Sequence, residues 1–403
     1  MSVRPDIAAV FPRVLGLLRE TEDVVVERPA GGSHPAWAQR RGWADWLLSL
    51  SDEQVHEAEH DPAGWLAGQQ CAPASLRALA AGAADVSAPW GEGRDPSART
   101  LERHVKRRKQ VQLDAFAGVA QRQFAGVTRV VDLGAGHGHL TRALARALRP
   151  EETLGVDWNQ ARVARAIDLA GVEGPRFVHA DGSDGDGLTL RPHDLVVGLH
   201  PCGDLGDALV SRARDARAHV LAVSCCFQET AAAARGALSA EGKTAGFTVP
   251  KRALGLANLA PVSFEGSGSL ADKRAWRESR LALRLLLEAR GLYVEPGAEA
   301  QGVPKDRLRQ GLEVVVALSL AARGLPPATA AEVAAASTRA ARAHAVDARM
   351  ALPRHALARV LELAIVLDRA RLLDESGWRT EVVPLFSART SPRNLAIVAA
   401  APG

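Results

Sequence analysis

The chain has 403 residues, long enough for two or three domains, and its 47% hydrophobic and 24% charged composition is that of a folded globular protein. A formal net charge of +4 and a pI near 9.1 are compatible with a nucleic-acid partner, whereas 4% aromatic residues argue against extensive base stacking on the surface. The four cysteines are too few and too unevenly spaced for a secreted disulfide framework, no uncharged apolar run has the length of a membrane span, and Asp6, Arg13, Arg19 and Glu20 interrupt any signal-peptide pattern. A cytoplasmic protein is expected.

Residues 1–95 read as an N-terminal helical region. Ile7 to Leu18 is amphipathic, Trp37, Trp43, Trp46 and Leu47 recur near helical spacing as core residues, and Ser51 and Pro73 with Ser75 look like helix starts. Ser87 to Pro96 is rich in Gly and Pro and reads as a linker. A helix over about Ser97 to Phe124 follows, with the densest positive run in the chain: Arg103, His104, Lys106, Arg107, Arg108 and Lys109. Such a run is commonly a solvated face; just ahead of the first strand it can also meet a cofactor carboxylate or a phosphate.

Residues 96–229 alternate strands with helices, which implies a parallel sheet covered on both faces. The strands are expected at Arg129 to Leu133, Thr153 to Val156, Arg176 to His179, Asp194 to Leu199 and Val220 to Ser224, with helices such as Gln160 to Ala170 and Asp204 to Ala216 between them. The first strand runs into Gly134-Ala135-Gly136-His137-Gly138 and then a helical Leu140 to Leu148, an arrangement of strand, glycine turn and helix that places a small ligand at the carboxyl edge. In a dinucleotide turn the third Gly comes one place later and no anion precedes the loop. Here Asp132 does precede it. That carboxylate suits the ammonium and sulfonium cations of S-adenosylmethionine (SAM). Asp157, ending the second strand, suits a ribose diol, and Asp181, past the third, an adenine amino group. The cofactor-binding set is therefore Asp132, Gly134, Ala135, Gly136, Asp157, Trp158, Asp181 and Gly182.

Residues 230–351 read as an inserted, mostly helical lobe, with helices over Asp272 to Ala289, Arg307 to Ala322 and the Ala-rich Ala328 to Ala345, the last of which could instead be a linker. Residues 352–403 return to the core, with an apolar helix over Leu357 to Leu373 and two strands, Arg379 to Phe386 and Asn394 to Ala400, as an antiparallel pair closing the sheet edge. The fold expected is α/β: a Rossmann-like seven-stranded sheet with an N-terminal helical region and an inserted helical lobe.

The fourth and fifth strand ends carry His200-Pro201-Cys202-Gly203-Asp204 and Ser224-Cys225-Cys226 side by side, so three of the four cysteines, Cys71 being the other, converge near the transferable methyl group. A thiolate could activate a pyrimidine ring for methylation, His200 with the thiols could bind a metal, or the cysteines could be small buried hydrophobes. All three readings stay open, and no metal is assigned. His200 is the first candidate for a general base, Cys202 the second, with Cys225 and Cys226 beside them.

The segments Asp132 to Leu140, Gly198 to Leu205, Cys225-Cys226, Leu367-Asp368-Arg369, Pro384-Leu385-Phe386 and Ser391-Pro392-Arg393-Asn394 together resemble the methyltransferase-like proteins labelled ribosomal RNA adenine dimethylase domain-containing. The resemblance runs over nearly the full chain and implies a SAM-dependent methyltransferase with Asp132, Gly134, Gly136, Asp157 and Asp181 at the cofactor. A basic motif of that family aligns with Lys106-Arg107, which are candidate substrate-binding residues, and its following Glu position holds Gln110. The middle motif and the Cys pair are also similar to tRNA acceptor-stem 2'-O-methyltransferases, which have His after the Cys pair where this chain has Phe227-Gln228. Adenine N6 methylation normally uses Asn/Asp-Pro-Pro-aromatic on the fourth strand. His-Pro-Cys-Gly in its place implies different chemistry. The reading is a SAM-dependent methyltransferase acting on tRNA or rRNA. The alternatives are a protein or small-molecule acceptor, an NAD-dependent oxidoreductase, which Asp157 suits but Asp132 and the early Gly138 do not, and a non-catalytic SAM-binding RNA-associated protein.

Overall fold

The computed structural model describes residues 5–96, 105–183, 188–259, 269–295, 297–304, 306–308 and 310–403. Among them the chain groups into two compact units: Met1–Val26 with Leu79–Glu265 and Ala356–Gly403, and Glu27–Ala78 with Gly266–His355.

The first unit is built on a seven-stranded sheet of order β3-β2-β1-β4-β5-β9-β8. Its strands are β1 (Arg129–Leu133), β2 (Glu152–Asp157), β3 (Arg176–His179), β4 (Leu195–Cys202), β5 (His219–Cys225), β8 (Arg379–Pro384) and β9 (Leu395–Ala400). The first five are parallel; β9 runs antiparallel to both β5 and β8. The order reverses between β1 and β4, which opens a crevice at the carboxyl edge there. Helix α1 (Ile7–Glu20) belongs to the same unit, and α2 (Arg107–Gln123), α3 (His139–Leu148), α4 (Gln160–Ala170), α5 (Gly203–Asp215) and α6 (Ala358–Asp374) flank this sheet.

β5 shows why the strands read as continuous apolar runs. Leu221 and Val223 join Phe116, Leu144, Val197 and Ala396 in the core of one face, while the alternate residues Val220 and Ala222 are equally buried on the other. α5 and α6 pack on β5 and β9, and α1 packs on α6. A helix covered from both sides is apolar except where its polar groups are paired, and in α6 the run from Val360 to Ala370 is buried throughout, with Glu362, Asp368 and Arg369 each hydrogen-bonded. At the opposite edge, Arg129 is buried between Asp194 (2.7 Å) and Glu152 (2.9 Å), an ion pair that ties together the starts of β1, β2 and β4.

Three sequence expectations change. The Gly/Pro-rich linker is a packed strap: the buried Trp90 donates to the Val382 carbonyl (3.0 Å), and the Asp95 carboxylate accepts from the Ser387 amide and hydroxyl and the Thr390 hydroxyl. The helix expected from Ser97 starts, within the described residues, at Arg107; residues 97–104, with Arg103 and His104, lie outside them. The segment after Cys226 is mostly helical as expected and also holds a short pair that the sequence did not suggest, β6 (Ala234–Gly236) antiparallel to β7 (Thr248–Pro250); three residues per strand are too few to show an alternating pattern. The helix expected from Arg307 begins at Leu312, because Gly311, at φ 101°, breaks the chain direction ahead of it.

The second unit is helical. Ser269 and Asp272 form a capping box that starts helix Leu270–Ala289, and Leu283, Leu287, Val315, Leu320 and Ala340 form its core with helices Leu312–Ala321 and Ala330–Ala356. The Ala-rich stretch is thus a helix. Its Asp347 accepts from the Gly31 and Gly32 amides and its Arg349 donates to the Leu50 carbonyl, which fastens the early segment, where Trp37 and Trp43 stack edge to face at 5.9 Å. Among the described residues no helix is long and apolar enough to cross a membrane.

Candidate cofactor and active site

The glycine turn is fixed to the neighbouring strand before any ligand arrives. The Gly134 and Ala135 amides both donate to the Val156 carbonyl (2.9 and 3.0 Å), and the Gly136 amide donates to the Asp157 carboxylate at 2.9 Å. The other Asp157 oxygen accepts from the Asn159 amide at 2.9 Å. The end of β2 therefore holds the loop of β1. Gly138 caps α3 in the left-handed region (φ 69°), and a Cβ there would stand 2.4 Å from the ring of Phe177 on β3. The third glycine comes early because it serves close packing of helix against strand as well as the turn.

Asp132 is fully buried and accepts from the Thr141 hydroxyl at 2.6 Å. Burial pushes its carboxyl up to about 6, against the Thr141 hydrogen bond and the charge of Lys109, which hold it down. A carboxylate taken out of water at a ligand edge is suited to a cation that arrives with the ligand. Trp158 follows Asp157 and is 65% exposed, an unusual setting for an indole. Asp181, exposed just past β3, accepts from the Ser183 amide (2.9 Å) and hydroxyl (2.6 Å), which hold its carboxyl below the usual range. Gly182 beside it is buried, with its carbonyl bonded to Arg212. The eight residues expected at the cofactor thus lie along the ends of β1, β2 and β3.

The ends of β4 and β5 meet as expected. The register slips between Leu199 and Cys202, His200 takes φ 74°, and Cys202 then pairs with Cys225 across the strands. Their sulfurs are 3.5 Å apart, and both thiols aim at the His200 carbonyl (3.5 and 3.6 Å). Hydrogen bonds from Cys202 and Cys226, together with burial, push the Cys225 thiol up, while the bond with Cys225 draws the Cys226 thiol down. The turn into α5 is closed by Gly203 (φ 46°), where a Cβ would fall 1.6 Å from the Glu229 carbonyl oxygen.

His200 departs from its expected character. A near-neutral imidazole is the reason to choose it as a base, yet burial, and then Lys109, Arg393 and Arg108, push it down to about 3. It is a neutral hydrogen-bonding group, with Nε2 3.4 Å from Gln112 Oε1 and a buried Nδ1 that has no partner among the described residues. Of the basic run, Lys106 and Arg107 are exposed at the start of α2. The charges that act on the site are instead Arg108 and Lys109, joined by Arg393 from the loop before β9. Gln112 carried no sequence signal beyond its place one turn after that run.

A second group was visible only as a motif without a role. Arg369, buried in α6, donates to Asp207 (2.7 Å), to the Ser224 hydroxyl (2.6 Å) and to the Gly203 carbonyl (2.9 Å). Asp368 next to it accepts from Arg235 (2.9 Å), the Leu238 and Ser239 amides and the Ser239 hydroxyl. One guanidinium thus clamps the β4 turn and the end of β5, 145 or more residues away in the chain. Strand-end acids can be read from their neighbours in sequence. A clamp of this separation cannot.

Residues 107–233 match the family model described as "Methyltransferase domain". The fold is that of a SAM-dependent methyltransferase. The cofactor is SAM, and the residues present fit it: a buried carboxyl at the β1 end and a second carboxylate at the β2 end border a turn whose backbone approaches closely. Similar solved structures include the YcgJ protein from Bacillus subtilis, at 22% identity over 27% of this chain and 50% of that chain with a TM-score of 0.23. The 23S rRNA methyltransferase ErmE matches at 22% identity over 27% and 45% with a TM-score of 0.23. A putative RNA methyltransferase from Pyrococcus horikoshii matches at 16% identity over 35% and 73% with a TM-score of 0.25. The chain spans about half the length of the first two.

Proposed function

We propose that this SAM-dependent methyltransferase transfers its methyl group to RNA, a tRNA or rRNA of the cytoplasm, at the edge formed by β4 and β5. The observation that carries the reading is the gathering of Arg108, Lys109 and Arg393 around His200, beside the cofactor carboxylates. Cations drawn from two distant segments to one catalytic edge suit a substrate whose own charge is a phosphate backbone. Lys106 and Arg107, exposed immediately before them at the start of α2, would extend that track. The resemblance of the Gly198 to Leu205 segment and the Cys pair to tRNA acceptor-stem 2'-O-methyltransferases agrees with the same acceptor class.

SAM when bound supplies an activated methyl on a sulfonium. Asp132 would pair with its cationic amino-acid end, Asp157 with the ribose hydroxyls and Asp181 with the adenine amine, while Trp158 offers an exposed ring for the base and Gly134, Ala135, Gly136 and Gly182 line the approach. His200, neutral and beside Gln112, would accept a hydrogen bond from the acceptor and orient it, and Cys202, Cys225 and Cys226 would border the reacting atoms. The test is transfer of labelled methyl from SAM into a bacterial extract, with the RNA and protein fractions counted separately and Asp132→Ala alongside. Label in RNA that the variant lacks is expected. Label only in protein, or in neither while SAM binds, overturns the RNA reading.

A further inference from the structure

The three thiols at the β4 and β5 ends are arranged as ligands. Each of the sulfurs of Cys202, Cys225 and Cys226 lies within 4.8 Å of the other two, and Cys202 and Cys225 are 3.5 Å apart. A tetrahedral zinc ion with Zn–S bonds of about 2.3 Å separates its sulfurs by roughly 3.8 Å. The cluster is therefore close to the size of one face of such a shell.

The backbone has to depart from regular structure to achieve this. On a continuing strand Cys225 and Cys226 would point to opposite faces of the sheet. They share a face because the chain leaves β5 at Cys226 with φ 45°, a left-handed conformation that a side chain disfavours. On the neighbouring strand, His200 at φ 74° and the slip after Leu199 bring Cys202 level with Cys225. Two non-glycine residues in the left-handed region, one on each strand, converge three sulfurs; small buried hydrophobes would require neither. The surroundings fit the charge as well: a zinc ion with three thiolates carries a net −1, and Lys109 acts on Cys225 while Arg393 acts on Cys226.

We infer that Cys202, Cys225 and Cys226 bind one zinc-type divalent cation through three thiolates, with the fourth position left to water or to the substrate. Binding releases the three thiol protons to solvent and changes no oxidation state. Three protein ligands and an open position are the pattern of reactive rather than structural zinc sites.

The test uses the full-length reduced protein under anaerobic conditions, with Co2+ as the spectroscopic probe. One Co2+ per chain is expected, with an intense near-ultraviolet thiolate-to-cobalt band that equimolar Zn2+ abolishes. Cys71→Ser should leave the band intact, because Cys71 is exposed and outside the cluster. Cys202→Ser and Cys226→Ser should each weaken Co2+ binding at least about 10-fold while SAM affinity by calorimetry stays the same. Should a variant fail to fold, the wild type alone decides: bound zinc must protect Cys202, Cys225 and Cys226 from alkylation, read by peptide mass, and leave Cys71 reactive. No thiolate band, a band unchanged in both variants, equal alkylation of all four cysteines, or a Cys202 to Cys225 disulfide in the protein as isolated would each overturn the assignment.

Discussion

Replacing Asp132 with Asn should make the protein more stable and the cofactor site worse. The carboxyl is fully buried, accepts from Thr141 at 2.6 Å, and has its pKa raised from 3.8 to about 6 by burial. A raised acid pKa means that the folded state binds more protons than the unfolded state between those two values, so this group makes stability fall as pH rises through that window. Below about pH 4 both states are protonated and the effect is absent; above pH 6 it is complete, at about 3 kcal/mol for the full shift. Asn keeps an oxygen for the Thr141 hydroxyl and has no charge to desolvate. At pH 8 the variant should exceed the wild type by up to about 3 kcal/mol, and the gap should close toward pH 4. Burial lowers His139 to about 4 and His200 to about 3, which makes stability fall with acid in both proteins, so the readout is the difference between their urea unfolding curves at each pH. SAM affinity should move the other way, weakening by about 10- to 100-fold for the loss of roughly 1.5 to 3 kcal/mol in charge-assisted contacts. In the wild type, calorimetry should show SAM binding tightening as pH rises through about 6, with a proton released on binding below that pH. An Asn variant no more stable than the wild type at pH 8, or one that binds SAM equally well, would refute the reasoning.

Other expectations follow from the same geometry. Asp157→Ala removes the acceptor of the Gly136 and Asn159 amides and should weaken SAM binding by about 1 to 3 kcal/mol in calorimetry; unchanged affinity would remove Asp157 from the site. Gly138→Ala combines φ 69° with a contact of 2.4 Å to Phe177, so urea unfolding should show a loss of more than about 1 kcal/mol, whereas a neutral result would mean that the turn relaxes freely. Arg369→Met leaves Asp207 with Arg235 as its remaining ion-pair partner and removes the Ser224 and Gly203 contacts, at a cost of about 1.5 to 3 kcal/mol by the same measurement. A loss below about 1 kcal/mol would show that the clamp is dispensable.

The order of strands and helices, the glycine turn and the acids at the strand ends were legible because each depends on neighbours within a few residues. Buried parallel strands must be apolar at every position, a close turn needs glycine at fixed spacing, and Asp132 and Asp157 mark strand ends by interrupting those runs. The antiparallel closing pair was legible from local pattern too, since β9 is a short apolar run and β8 a strand-like one centred on Val382-Val383, joined by a Ser/Thr/Pro turn. What tertiary structure alone decided was which of several chemically possible roles each side chain received. The Ser87 to Pro96 stretch has the composition of a linker and is a docked strap, because its partners Val382, Ser387 and Thr390 lie nearly three hundred residues on. His200 loses its near-neutral character through burial and through Arg108, Lys109 and Arg393, a field summed over segments that sequence keeps apart. Cys225 and Cys226 share a face only through a left-handed residue, which local composition does not reveal outside glycine. Periodicity encodes what a residue must avoid, namely water or a clash, whereas the field and partners it meets are set by contacts distant in sequence.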